Sequence, residues 1–252
     1  LTGQALAVAE QAGASSLHWL FTDLRDTEQL VQHGFLRRTG CHFHWHNPGY
    51  RSFEDYLSRM SSRKRKKIRR ERRHVQEAGI RMQVLLGGEV TAPQWQLMHY
   101  FYRSTFERKS GIPTLSLDFF QEISRTMGEQ LVLVFAHHDG KAVAGAIMLR
   151  GDRALYGRHW GCLAEFHSLH FETCYYQGID YCIEHGLDLF EPGAQGEHKI
   201  SRGFLPTYTW SAHWIANAGF RAAIQRYLAH EHGMMVEYHD ELQCRSPFRQ
   251  PT

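Results

Sequence analysis

Residues 131–204 read LVLVFAHHDGKAVAGAIMLRGDRALYGRHWGCLAEFHSLHFETCYYQGIDYCIEHGLDLFEPGAQGEHKISRGF, and their pattern decides the fold class. Three runs of strand-forming residues, 131–138, 142–150 and 154–160, follow in quick succession. Asp139-Gly140 is a hairpin turn between the first two. A helical pattern runs over 169–185 and stops at Gly186. A short strand at 187–190 and a glycine-rich polar segment at 192–204 come next. This order predicts an α+β layout around a mixed sheet.

Upstream, 1–13 is helical in spacing, 16–21 is a strand, 26–34 a short helix closed by Gly34, and 35–46 an alternating strand. Asn47-Pro48-Gly49 marks a boundary. Ser52 caps a helix with Phe53, Tyr56, Leu57 and Met60 at helical spacing, which breaks at Ser61-Ser62 before a basic helix ended by Gly79. A strand at 80–86 follows, then an amphipathic helix over 93–109 and another over 116–127 with Ser116 as its cap. Downstream, 208–215 is a strand and 220–242 a closing helix.

Apolar residues at 42% and aromatics at 13% favour a packed core over disorder. The longest apolar runs, 131–136 and 142–149, are too short to cross a bilayer. Residues 1–13 carry neither the basic nor the apolar region of a secretory signal. The chain starts at Leu1 rather than Met, which reads as a missing upstream segment. Five cysteines without a C-x-x-C pair read as buried thiols in a reducing compartment, here the cytoplasm, with neither a disulfide framework nor a cysteine zinc site. The net charge of +3 hides one local stripe: residues 63–73, RKRKKIRRERR, hold nine cations and one acid, leaving −5 for the rest.

Four clusters carry chemistry. In 191–204, Gly193, Gly196 and Gly203 let backbone approach a ligand, and Gln195, Glu197, His198, Lys199 and Arg202 supply acid–base and anion-binding groups. The spacing is neither a Walker loop nor a dinucleotide fingerprint. In 156–161, alternation puts Tyr156, Arg158 and Trp160 on one strand face, a pocket wall or an Arg paired with Glu172 or Glu191. His170 and Glu172 stand near the start of the long helix, where phosphate binds or where an ordinary first turn holds an acid. In the basic helix, Arg63, Lys64, Lys66, Lys67 and Arg70 form a polyanion clamp or a solvated surface. Nine cations in eleven residues cover every face, so no apolar stripe is expected there. His42, His44 and His46 share a strand face without further ligands beside them, so no metal site is expected.

The string LYGRHWGCLAEFHSLHFETCYYQGIDYCIEHGLDLFEPGAQGEHKISRGFLPTYTWSAHWI, together with FHWHNPGYRSFEDYLSRMSSRKRKKIRRERR and the closing Pro247-Phe248-Arg249, resembles a bacterial family of predicted N-acyltransferases. That family is described as peptidoglycan-biosynthesis-like and grouped with the FemAB-type aminoacyltransferases of the GNAT superfamily. The resemblance implies a mixed, mostly antiparallel GNAT-like sheet flanked by helices. It also implies two GNAT-type units, with 1–47 the end of the first and 48–252 the second. It implies transfer of an acyl or aminoacyl group to an amine of a peptidoglycan precursor or related acceptor. The co-substrate would be aminoacyl-tRNA or acyl-CoA, with no tightly bound cofactor. An ammonium cannot attack a carbonyl, so Glu197 or His198 would take the amine's proton, while Lys199 and Arg202 would hold phosphate or carboxylate. The helix start at 168–170 lacks the Gln/Arg-x-x-Gly-x-Gly/Ala pattern of acetyl-CoA-dependent relatives, in keeping with a tRNA donor. The rival reading is a non-catalytic GNAT-fold protein that binds RNA or anionic envelope lipid through 63–73.

Overall fold

Local capping starts the helices. In the computed structural model, which describes residues 1–193 and 196–249, Asp23, Ser52, Ser116 and Asn217 each accept a backbone N–H three residues on. They open α2 (Leu24–Gln32), α3 (Phe53–Ser58), α6 (Leu117–Thr126) and α9 (Ala218–Gln243). The Asp23 cap starts α2 two residues before the acidic turn expected to open it. The break at Ser61-Ser62 separates α3 from α4 (Ser62–Glu77).

The chain forms two compact units. The first comprises Leu1–Phe43 and Leu205–Ser246. It holds α1 (Thr2–Gln11), β1 (Ser16–Thr22), α2, most of β2 (Leu36–His46), β8 (Leu205–Ile215) and α9. Its strands lie in the order β1-β8-β2, with β1 and β8 antiparallel from Ser16 against Ile215 to Thr22 against Trp210. Ala9, Leu30, Phe35, Ala212 and Trp214 form its core. The expected boundary at 47/48 therefore differs from the structural one. Strand β8 draws 205–246 to the amino-terminal segment because it pairs with β1, and the second unit begins inside β2 at His44.

The second unit, His44–Phe204 with residues 247–249, contains α3, α4, β3 (Arg81–Leu86), α5 (Ala92–Arg108), α6, β4 (Leu131–His138), β5 (Lys141–Arg150) and β6 (Ala154–Cys162). A helical stretch from Leu169 to Glu184 follows, and then β7 (Leu189–Glu191). The strand order is β7-β6-β5-β4-β3, with Trp45 and His46 of β2 pairing on the outer side of β7. Every pairing is antiparallel except β6 with β7, which run parallel from Ala154 against Leu189 to Tyr156 against Glu191. This is the mixed, mostly antiparallel sheet flanked by helices expected above.

One core packs α5 and α6 against the sheet through Trp95, Met98, Phe101, Tyr102, Phe120 and Phe135. Each fully buried large apolar side chain contributes about 1.5–3 kcal/mol. Gly161 is indispensable to this packing, since a Cβ there would run into the Phe101 carbonyl. Helix α4 departs from expectation: it does carry a buried stripe, Ile68, Glu71 and Val75, at spacings of three and four residues. Those three side chains interrupt the cations on one face, so α4 docks on the unit and keeps its charge outward. Among the described residues no helix is long and apolar enough to span a membrane.

Candidate functional site

The parallel pair opens the site. Its pairing stops at Tyr156 and Glu191, while β6 runs on to Cys162. Within that free length β6 has a bulge: Met148 faces Gly157 and Ile147 faces His159, leaving Arg158 without a cross-strand partner. A bulge re-aims a side chain and frees backbone from the ladder. It also cancels the alternation expected for Tyr156, Arg158 and Trp160. Between the parted strands lies a cavity of about 120 Å³, lined by Gly157 to Trp160 of β6, by Pro192 and Gly193 beyond β7, and by His170, Cys174 and Tyr175. Tyr156 is not in its wall.

A second hollow, of about 480 Å³, lies beside the end of α5, lined by Thr105, Arg108, Lys109, Glu165, Phe166 and Leu169 among others. Trp160 and His170 belong to the walls of both hollows.

The helical stretch after β6 delivers three of these side chains. It starts as a short turn, α7 (Leu169–Phe171), after Ser168 at φ 67°. It widens to π geometry over Glu172–Tyr176 and continues as α8 (Gln177–Glu184). A π segment inserts an extra residue into the winding and is common at functional sites. Here it brings His170 and Tyr175 to within 5.2 Å between ring centroids.

The segment Glu197–Arg202 forms a tight helical turn closed by Gly203 in the left-handed region. Lys199 is 2% exposed, and its Nζ donates to the carbonyl of Gly193 in the cavity wall. Burial pushes the Lys199 ammonium down to about 8, so it remains mostly cationic at neutral pH. His198 hydrogen-bonds through Nε2 to the Tyr175 hydroxyl at 2.9 Å. Burial, then Arg202, Lys199 and Lys67, hold its imidazole below the usual range. Burial also lowers His170 to about 4, helped by His198, Arg202, Lys199 and Lys109. His159 falls to about 4 through burial and the neighbouring Arg158. Burial raises the Tyr175 hydroxyl and the Cys174 thiol, so both stay protonated.

The structure thus gathers Arg158, Trp160 and His170 at the cavity and sets Lys199 and His198 against its wall. Arg158 is exposed and makes no ion pair among the described residues; the acids named as its partners are engaged elsewhere. Glu172 is buried under Arg72 at 3.0 Å, and Glu191 lies 3.6 Å from His44. Arg202 is 2% exposed and forks onto Glu71, shares the Tyr176 hydroxyl, and stacks 3.4 Å over Phe171. Both Arg202 and Glu172 therefore tie α4 to the site. Glu197 is exposed. Gln195 lies outside the described residues. Of the expected histidine trio, His42 belongs to the first unit, and the rings of His44 and His46 are 6.3 Å apart.

On α4, Arg63, Lys64, Lys66, Lys67, Arg69, Arg70 and Arg73 border a basic hollow of about 660 Å³. Among the described residues Arg63, Lys64, Lys66 and Arg70 make no ion pair, whereas Lys67 reaches Glu71 at 3.9 Å. Sequence reasoning missed His159, Cys174, Pro192 and Lys109. Only Lys109, at the end of an amphipathic helix, carried a local sign of exposure.

A family model described as FemAB-like, peptidoglycan biosynthesis/recognition, matches residues 1–250. No curated protein matches by sequence. Among solved structures, the C-terminal domain of a lysylphosphatidylglycerol synthetase from Agrobacterium fabrum is similar at TM-score 0.63 and 12% identity, covering 91% of this chain and 76% of that one. FemX is similar at TM-score 0.61 and 12% identity, covering 88% and 77%. The L-PGS of Bacillus licheniformis is similar at TM-score 0.64 and 11% identity, covering 90% and 76%. At these identities the likeness shows a shared fold.

Proposed function

Since the chain belongs to the FemAB-like family of peptidoglycan biosynthesis/recognition, we propose that it transfers an acyl or aminoacyl group to an amine in the cleft where β6 and β7 part. The observation that carries this is the juxtaposition at one small cavity of a buried ammonium, Lys199, a guanidinium without an ion pair among the described residues, Arg158, and imidazoles kept neutral by burial.

The amine's nitrogen bonds to the acyl carbon, the carbonyl oxygen gathers negative charge, and the bond to the donor's ester oxygen or thioester sulfur then breaks. The leaving atom takes up a proton. Arg158 holds the donor's phosphate or a substrate carboxylate, and Trp160 offers a stacking face. Lys199 stabilises the oxyanion electrostatically, an effect magnified where water is excluded. His198, bonded to Tyr175 and next to exposed Glu197, passes the released proton outward.

A tRNA donor is favoured by the basic hollow on α4, whose Lys67 lies close enough to affect His198. The acceptor we propose is an amine-bearing peptidoglycan precursor, met in the cytoplasm. Incubating the protein with that acceptor and, in parallel, aminoacyl-tRNA or acyl-CoA tests the reading. Acceptor-dependent loss of one donor is expected; with neither consumed, the transferase assignment fails and binding through 63–73 remains.

A further inference from the structure

His170 occupies a place that its position near a helix start does not explain. It is shared by the walls of both hollows, the 120 Å³ cavity between the parted strands and the 480 Å³ hollow beside α5. Aromatic rings fix its plane: Trp160 at 5.1 Å edge-on, Tyr175 at 5.2 Å and Phe171 at 5.6 Å. Neither of its nitrogens is hydrogen-bonded to any described residue, although it is half-buried. A ring positioned by packing, with both nitrogens left open at a partition between two hollows, is arranged to bond something that enters them.

Resting on the transferase reading, we propose that His170 is a catalytic residue that accepts the hydrogen bond, and then the proton, of the attacking amine where the two hollows meet. The donor's acyl group occupies the smaller cavity and the acceptor amine approaches through the larger. As the amine's lone pair is shared with the acyl carbon, the nitrogen becomes positive and its remaining hydrogens become acidic. A neutral imidazole of low basicity is then sufficient to take one. The C–N bond forms, the C–O or C–S bond of the donor breaks, and the proton on His170 returns to the leaving atom or moves to His198, 6.5 Å away between centroids.

The groups facing His170 agree with this. Lys109 at the end of α5, and His198, Lys199 and Arg202 from the turn after β7, are all cationic or neutral, and Tyr175 keeps its proton. Together with burial they keep the ring unprotonated and able to accept down to about pH 4. A carboxylate beside the ring would have the opposite effect; Glu165 shares the larger hollow, together with Arg108, but is not among the groups that shift His170.

Two arms test the proposal. In the first, the full chain is treated with diethyl pyrocarbonate at pH 7 and pH 5, and modification of His170 is followed by peptide mass spectrometry. Equal rates at the two values are expected. A fall of about twenty-fold, as an imidazole of ordinary pKa gives, or no modification at either pH, overturns it. In the second, consumption of alanyl-tRNA with an amine-bearing peptidoglycan precursor is compared for wild type, His170→Gln, and His170→Ala with added imidazole. The glutamine variant should lose about 100-fold or more, and imidazole should restore part of the rate to the alanine variant. Wild-type rates in His170→Gln overturn the role. If the wild type consumes neither alanyl-tRNA nor acyl-CoA, the transferase reading falls, and the labelling arm still decides whether His170 is an open, neutral imidazole.

Discussion

Replacing Glu71 by leucine should destabilise the protein far more than a substitution on a basic helix ordinarily would. Glu71 has a side chain 7% exposed, and Arg202, its partner at 2.7 Å, is 2% exposed. Removing the carboxylate strands a guanidinium in a place water does not reach. It keeps only the His198 carbonyl at 2.8 Å, Ser201, the Tyr176 hydroxyl and the Phe171 face. Breaking a buried pair from one side costs about 3–5 kcal/mol, whereas the lost Lys67 contact, at the surface, costs at most a few tenths. For a chain of this size that is a fall of roughly 6–20 °C in Tm. The double variant Glu71→Leu, Arg202→Met removes both charges and should recover part of the loss, to within about 2–3 kcal/mol of wild type, the remainder being the His198 carbonyl without its donor and the buried Tyr176 hydroxyl, which donates to Glu71 and accepts from Arg202, without either partner. Urea unfolding of the four proteins of this cycle, with unchanged m-values, gives the coupling. A single variant costing less than about 1 kcal/mol, or a double variant no better than the single, would refute the idea that this pair holds α4 to the 197–202 turn.

Three further outcomes can be checked. Gly196→Ala should lower turnover and cost at least about 1 kcal/mol, because φ is 111° and the new Cβ would collide with the His198 ring; activity and Tm read it. Binding of tRNA should weaken steeply with salt. Alanine at Arg63, Lys64, Lys66 or Arg70 should each reduce the slope of log K against log salt by about 0.7–0.9, measured by filter binding. Lys199 has a folded pKa lowered to about 8 from 10.5, so between those values the unfolded chain binds the extra proton. Stability should therefore rise with pH across that window relative to Lys199→Met, as urea midpoints at pH 7.5 and 10 would show.

Much of the fold was legible because helix ends and strand runs are local. The Ser52 and Ser116 caps, the break at Ser61-Ser62 and the Asp139-Gly140 turn each stand where their own side chains put them. Strand neighbours are not local. His18 of β1 lies opposite His213 of β8, 195 residues away, and nothing near either names the other, so a compact unit that joins both ends of the chain is not visible in the sequence. The site divided along the same line. The loop 191–204 and the wall at Arg158, Trp160 and His170 stood out by composition, and the structure brings them together. The bulge at Arg158 depends on the register of β5, which alternation along β6 cannot contain. Arg202 and Glu172, expected at the substrate, have ion-pair partners on α4 that lie about a hundred residues or more away in the sequence and so were not legible there. Glu71, a lone acid among nine cations, looked like solvated surface; its spacing from Ile68 and Val75 was the one clue to burial.

The widened turn at Glu172–Tyr176 absorbs one residue more than regular winding would use to complete the same circle. Each residue of a regular helix advances about 100° around the axis. Deleting one residue inside the widened turn, such as Thr173, would therefore restore ordinary winding and leave the His170 ring near its present bearing. Deleting one from the regular coil of α8 would instead swing His170 by about that angle, out of the partition between the two hollows. Natural variants of this chain should therefore lose a position within 172–176 more readily than within 177–184.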